Sequence, residues 1–90
     1  MALYNVFYTS AAARALKHLP REVIADIRTA VEGLAANPRT LHTEKLEGYP
    51  HAYRLRIGRY RLLYTIEDEA RRVTVYRVAH RKESYRNLSH

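Results

Sequence analysis

The sequence predicts an α+β fold in which a strand and a helical hairpin precede a three-stranded antiparallel meander that completes a four-stranded sheet. Apolar residues recur at three-to-four spacing between positions 11 and 36, a pattern typical of amphipathic helices. After Pro38 the pattern changes to runs rich in β-branched and aromatic residues, which favour strands. The length of 90 residues suits one domain, so we expect residues 1–90 to form a single unit.

The first strand is predicted over Leu3 to Tyr8, a β-branched and aromatic run. Thr9 and Ser10 follow it, and both residue types cap helices by accepting a hydrogen bond from a backbone N–H group. From Ala11 to Leu19 the apolar positions keep helical spacing and the charged positions fall on the other side. This segment is therefore predicted to be a short amphipathic helix.

A second helix is predicted over Arg21 to Ala36, directly after Pro20, because proline is tolerated in the first turn of a helix. Its apolar stripe consists of Val23, Ile24, Ile27, Val31 and Leu34. Asn37-Pro38 ends the helix, since the residue before a proline disfavours the helical conformation. Each helix is marginal alone, so we expect the two apolar stripes to pack on one another and on a sheet.

Three further strands are predicted over Ala52 to Ile57, Tyr60 to Ile66 and Val73 to Ala79. Gly58-Arg59 joins the first two as a two-residue connection with glycine first, which is a hairpin signature. Sheet-forming residues therefore dominate the C-terminal half. A short final helix is predicted over Ser84 to Leu88.

The charge of the chain points to a polyanionic partner. The formal net charge is +7, and thirteen of the sixteen basic residues are arginine, whose planar guanidinium grips phosphate bidentately. No cysteine is present, which excludes disulfides, thiolate metal sites and cysteine nucleophiles. A mean hydropathy of -0.49 and the short apolar runs exclude a membrane span, and we expect no signal peptide and a cytoplasmic location.

The arginines are densest in a segment without acidic residues, between Glu47 and Glu67. Alternate residues of a strand share a face, so Arg54 and Arg56 project together, and Arg61 of the next strand reaches the same face in one of the two possible registers. After the last strand, residues 80–85 concentrate an imidazole, cations and a phenol at a strand end, which is a plausible site.

Other chemistries find little support in the sequence. The five histidines show no helical pair and no ligand grouping, so no metal site is expected. The serines lack the context of a nucleophile elbow, and the carboxylates show no clear catalytic pairing. No glycine-rich phosphate loop is present among three scattered glycines, which disfavours a nucleotide-dependent enzyme. No cofactor is expected.

The order of motifs resembles that of the RelE/ParE superfamily, the toxins of type II toxin–antitoxin systems. The resemblance covers almost the whole chain, and its most specific parts are the strand hairpin and the His-Arg segment that follows the last strand. The matching segments are Phe7 to Ser10, Leu16 to Pro20, Leu34 to Pro38, Lys45 to Gly48, Tyr53 to Tyr64 and Val78 to Tyr85. The family fold of a strand, two helices and an antiparallel sheet agrees with the fold predicted above.

The resemblance is closest to the RelE-type branch, which implies a metal-independent endoribonuclease that cleaves messenger RNA in the ribosomal A site. The 2′-hydroxyl attacks its neighbouring phosphate and leaves a 2′,3′-cyclic phosphate and a 5′-hydroxyl. The residues carried over as catalytic are Arg54, Arg56, Arg61, Arg81 and Tyr85, with His80 as a candidate base, and those carried over as RNA-binding are Arg54, Arg56, Arg59 and Lys82.

Arginine at positions 54 and 56 departs from the lysine that RelE-type members often carry. A guanidinium stays protonated and is a poor general base, so these two residues are expected to stabilise the charge of the transition state. The resemblance also implies a cognate antitoxin on a separate chain, and the positive charge suits an acidic partner. Two alternatives are a ParE-type toxin that inhibits DNA gyrase without cleaving RNA and a plain nucleic-acid-binding module.

Overall fold

The computed structural model describes residues 3–40 and 43–80, which form two helices and a five-stranded sheet. The strands are β1 (Asn5–Tyr8), β2 (Thr43–Lys45), β3 (Ala52–Ile57), β4 (Tyr60–Glu67) and β5 (Arg72–His80), and the helices are α1 (Ser10–Lys17) and α2 (Arg21–Ala36). The strand order is β1-β5-β4-β3-β2. β1 runs parallel to β5, and all other neighbours are antiparallel.

Most of the predicted elements are confirmed. The bounds of α2 and β3 agree with the prediction, and Thr9 caps α1 by accepting a hydrogen bond of 3.2 Å from the backbone N–H of Ala12. Gly58 has a positive φ of 58°, and Arg59 does not, as a two-residue hairpin with glycine first requires. The predicted helix over Ser84 to Leu88 lies outside the described residues.

The predicted count of four strands is wrong, because β2 adds a fifth. This strand has only three residues, Thr43, Glu44 and Lys45, and none of them is an aliphatic or aromatic residue of the kind that marks a strand in the sequence. It forms because its backbone pairs with the edge of β3, where Glu44 lies opposite Arg54. Pairing of this kind depends on tertiary position and leaves no local pattern.

Both helices pack on one face of the sheet. The hydrophobic core joins Ala12 of α1 and Ile27 and Leu34 of α2 to the apolar side chains of the strands. The strand residues of this core are Leu55, Leu62, Tyr64, Ile66, Val73 and Val75. α1 lies chiefly against β5, and α2 lies against β1 and β3. Neither helix in the described part of the chain is both long and apolar enough to cross a membrane.

Tyr64 anchors the chain segment that follows α2. Its side chain is fully buried, and its hydroxyl donates a hydrogen bond of 2.7 Å to the carbonyl oxygen of Pro38. Burial raises the pKa of this phenol, so the group stays a donor at all ordinary pH values. The other face of the sheet carries no helix among the described residues, and it holds the arginines.

Candidate nucleic-acid interface

The strand register brings three of the predicted site arginines to one face of the sheet. Arg56 of β3 lies directly opposite Arg61 of β4, and Arg54 lies opposite Leu63. Residues directly opposite one another in an antiparallel pair have Cβ atoms about 5 Å apart. This is the register in which Arg61 reaches the face of Arg54 and Arg56. We call this face, with Arg54, Arg56, Arg61 and Leu63, the arginine face.

Arg61 is a buried cation. Only 5% of its surface is exposed, and its Nη1 atom makes one long hydrogen bond of 3.5 Å to the carbonyl oxygen of Tyr60. No carboxylate of residues 3–40 and 43–80 lies within salt-bridge distance of Arg61. A desolvated guanidinium without a counterion is unfavourable. An anion that binds this face would therefore gain more from Arg61 than from a solvated arginine.

Glu44 belongs to the arginine face and was missed by the sequence analysis. It lies opposite Arg54 across the β2–β3 pair, and Arg54 Nη2 donates a charge-assisted hydrogen bond to Glu44 Oε1. The Arg54 guanidinium holds the pKa of the Glu44 carboxyl below its usual range, and Arg56 and Arg61 add to this effect. Glu44 is therefore ionised at neutral pH. It offsets part of the repulsion among the arginines and orients Arg54.

Arg77 is a second residue that sequence reasoning did not single out. An irregularity in the pairing of β4 with β5 falls between Leu63 and Tyr64, so Tyr64 pairs with Val75 while Leu63 pairs with Arg77. Arg77 therefore lies on the arginine face, across Leu63 from Arg54. No local signal in the sequence predicts this position, because strict alternation from Val73 and Val75 places residue 77 on the core face.

The remaining predicted site residues are not all brought together. Arg59 is exposed in the hairpin turn at the end of β3 and β4. His80 lies opposite Tyr60, and its ring meets the Tyr60 ring edge to face at 5.3 Å, on the face of the sheet opposite the arginines. Arg81, Lys82 and Tyr85 lie outside the described residues.

The arrangement can bind a phosphate of a single strand. Arg56 is exposed and can donate two parallel hydrogen bonds to phosphate oxygens, and Arg61 adds a second guanidinium charge directly opposite it. Like charges directly opposite one another destabilise a sheet. Their position on adjacent strands, with Arg54 and Arg77 on the same face, is typical of a surface that meets a polyanion.

Comparisons with known proteins identify toxins of both bacteria and archaea. Residues 6–85 match the family described as the ParE toxin of type II toxin-antitoxin system, parDE. The toxin RelE of Mycobacterium tuberculosis is 36% identical over 84 residues, which cover 92% of this chain and 87% of that protein. The toxin RelG of the same organism is 34% identical, with 92% of this chain and 97% of that protein covered.

The fold comparison gives the same result. The crystal structure of the toxin-antitoxin complex RelBE2 from Mycobacterium tuberculosis contains a chain that superposes on this one with a TM-score of 0.77. That chain is 34% identical, and the superposition covers 89% of this chain and 100% of that one. The isolated toxin RelE of E. coli also superposes on this chain, with a TM-score of 0.77 and 26% identity, over 96% of this chain and 95% of that one.

Proposed function

Since the chain belongs to the ParE toxin family of type II toxin–antitoxin systems and is RelE-like, we propose that it is a metal-independent endoribonuclease that cleaves messenger RNA in the ribosomal A site. Cleavage there removes the codon from the decoding centre and stops translation. The observation that carries the proposal is the pair formed by Arg56 and Arg61, two guanidinium groups directly opposite one another on adjacent strands.

The reaction is an internal transfer of the phosphate. The 2′-hydroxyl oxygen attacks the adjacent phosphorus and loses its proton, while the bond from phosphorus to the 5′ oxygen breaks and that oxygen gains a proton. The products are a 2′,3′-cyclic phosphate and a 5′-hydroxyl, and no external oxidant or reductant takes part. The pentacoordinate transition state carries extra negative charge, and donors that are preorganised toward it lower the barrier.

The arginine face supplies that stabilisation. Arg61 is buried and held on β4, so its donors are positioned before the substrate binds. Arg56 lies beside it, and Arg54 is oriented by Glu44. Arg81 and Tyr85 are assigned by the family resemblance, the first as a further phosphate ligand and the second as a stacking or proton-transfer group. The ribosome contributes orientation of the RNA, which by itself can supply several kcal/mol.

A cognate antitoxin is the second proposed partner. The RelBE2 structure from Mycobacterium tuberculosis is a toxin-antitoxin complex, and 89% of this chain superposes on one of its chains. A net charge of +7 favours an acidic partner. An acidic antitoxin that covers the arginine face would block the RNA and compensate the charge of Arg61.

The proposal is tested by induction of the protein in growing cells, followed by primer extension on translated and untranslated messages. We expect cuts in translated messages only, clustered at codons in the A site. Arg61→Ala should reduce cleavage by about 10²-fold or more, as loss of one preorganised donor does. Arg61→Lys keeps a positive charge and much of the buried aliphatic chain, so it controls for misfolding. We expect this variant to fold and to cleave messages less than the unmodified protein.

Arg72→Ala is the matched control, because Arg72 is an exposed arginine that pairs with Glu67 at the far end of β5. It should cleave like the unmodified protein. Intact messages together with cleaved chromosomal DNA would contradict the nuclease and favour gyrase inhibition. That second candidate is kept because the matching family is described by its ParE members.

A further inference from the structure

The loop between β2 and β3 forms one wall of a cleft that opens beside the arginine face. The cleft has a volume of about 580 Å³ and is lined by Glu44, Lys45, Leu46, Glu47, Tyr49 and Arg54. We propose that it is a nucleobase-binding subsite that holds the base next to the scissile phosphate of the RNA. This inference rests on the proposed nuclease function and extends it to the recognition of a base.

Arg54 joins the cleft to the arginine face. It lines the cleft and also lies on the same side of the sheet as Arg56 and Arg61. A phosphate held between the arginines therefore has its neighbouring base within reach of the cleft. The same loop lines a second depression of about 460 Å³, but Glu44 and Arg54 are not among the residues of its wall. Of these two clefts, the first alone shares Arg54 with the arginine face.

Tyr49 supplies the stacking surface. Its side chain belongs to the wall of the cleft, and 38% of its surface is exposed, which is high for a large aromatic residue in a small domain. Proteins that bind single-stranded RNA stack unpaired bases on aromatic rings. Leu46 adds an apolar contact for a base on the same wall.

The loop that carries Tyr49 has a defined backbone. Three backbone hydrogen bonds close it. The Leu46 N–H donates to the Ala52 carbonyl oxygen at 2.9 Å, and the Ala52 N–H donates to the Tyr49 carbonyl oxygen at 3.2 Å. The Tyr49 N–H donates to the Leu46 carbonyl oxygen at 3.4 Å. Gly48 and His51 both adopt a positive φ, of 79° and 68°, which turns the chain tightly on either side of Tyr49. The Tyr49 ring therefore projects from a hydrogen-bonded turn, and binding of a base requires little further ordering of the loop backbone.

Two carboxylates give the cleft a preference among bases. Glu44 and Glu47 both line it, and carboxylates accept hydrogen bonds from the exocyclic amino groups of bases. Adenine, cytosine and guanine carry such amino groups. Uracil carries none, and its single N3–H donor lies between two carbonyl oxygens that repel a carboxylate. The cleft is therefore expected to disfavour uracil, and Glu47 can take this role without breaking the pair between Glu44 and Arg54.

The test measures equilibrium binding of the full chain to a short single-stranded RNA, made uncleavable by a 2′-deoxyribose at its central nucleotide. A second RNA of the same length lacks the central base and the base on its 3′ side, which are the two bases next to the scissile phosphate. Tyr49→Ala should weaken binding of the first RNA about ten-fold, the size of one lost stacking contact, and leave binding of the second unchanged. Tyr49→Phe keeps the ring and should bind both RNAs like the unmodified protein.

Tyr8→Ala is the matched control, because Tyr8 is a similarly exposed tyrosine on β1, at the opposite edge of the sheet. It should leave both affinities unchanged. Equal affinity of Tyr49→Ala and the unmodified protein for the first RNA would overturn the subsite, whatever the cleavage assay shows. If Tyr49→Ala loses base-dependent binding while the unmodified protein cuts no message, the subsite is upheld and the nuclease is rejected.

Discussion

Arg77 shows how one irregular residue changes the chemistry of a strand. The pairing shift beside Tyr64 places Val73, Val75 and Val78 toward the core, although residues 75 and 78 are separated by an odd number of positions. A bulge of this kind re-aims every side chain that follows it. Arg77 thus joins the arginine face, and with Arg54, Arg56 and Arg61 it completes a set of four guanidinium groups.

Arg77→Ala is predicted to remove one phosphate contact. The affinity for single-stranded RNA, plotted as log K against log salt concentration, should then have a slope smaller in magnitude by about 0.7. Arg28→Ala is the control, since Arg28 is exposed on α2, on the opposite side of the sheet, and its slope should equal that of the unmodified protein. Identical slopes for Arg77→Ala and the unmodified protein would remove Arg77 from the interface.

At the scale of the elements, a polar cluster links the segment before β1, the segment after α2 and the β4–β5 turn. It lies at the end of the sheet that is remote from the β3–β4 hairpin. Arg39, after α2, makes two hydrogen bonds of 3.1 and 2.8 Å to Asp68 in the β4–β5 turn. Tyr4, before β1, donates a hydrogen bond of 2.6 Å to the same carboxylate. Arg39 Nε also donates to the Tyr53 hydroxyl at 3.2 Å. The cluster links segments that are far apart in the chain.

This cluster makes stability depend on pH in the acid range. Arg39, followed by Tyr4, holds the pKa of Asp68 at about 2, below its ordinary value of 3.8. A depressed pKa in the folded state contributes stability that is present above pH 3.8 and is lost as the pH falls toward 2. Asp68→Asn should therefore lower the free energy of unfolding at neutral pH and flatten its dependence on pH between about 4 and 2.

Urea unfolding of both proteins across this pH range measures the effect. Glu69→Gln is the control, because it changes an adjacent carboxylate that makes no ion pair with any of the described residues, and its pH dependence should match that of the unmodified protein. If Asp68→Asn keeps the full acid dependence, the cluster does not stabilise the fold.

On the scale of the whole molecule, the described residues place the core on one side of the sheet and the arginine face on the other. The net charge is +7, and the described arginines of the face carry only Glu44 as a counterion. A field of one sign steers partners of the opposite sign and raises their association rates. The same field serves both RNA and an acidic antitoxin, so the two should compete.

Association with the cognate antitoxin is therefore predicted to be steered by charge. Between low and physiological ionic strength, the association rate constant should fall by about ten-fold or more, while the dissociation rate constant changes little. Stopped-flow mixing of the two purified proteins measures both constants. An association rate that does not respond to salt would show that the arginine face is not where the antitoxin first makes contact.

The helices, four of the five strands and the density of arginine in the hairpin follow from the sequence alone. These follow from local physics: the spacing of apolar residues, the capping oxygen of Thr9, the rigid ring of Pro20 and the positive φ that Gly58 tolerates. It also determined the family, through motifs that extend along nearly the whole chain. Arg54, Arg56 and Arg61 were therefore predicted before their register was known.

Which residues share the site depends on how the strands pair in three dimensions. Arg56 meets Arg61 through the register of β3 with β4, Glu44 joins them because β2 pairs with the edge of β3, and Arg77 joins them through a bulge in β5. His80 is placed on the other face by the same pairing. The physical reason is that strand pairing and register depend on contacts between distant parts of the chain, and a shift of one residue moves every side chain to the opposite face.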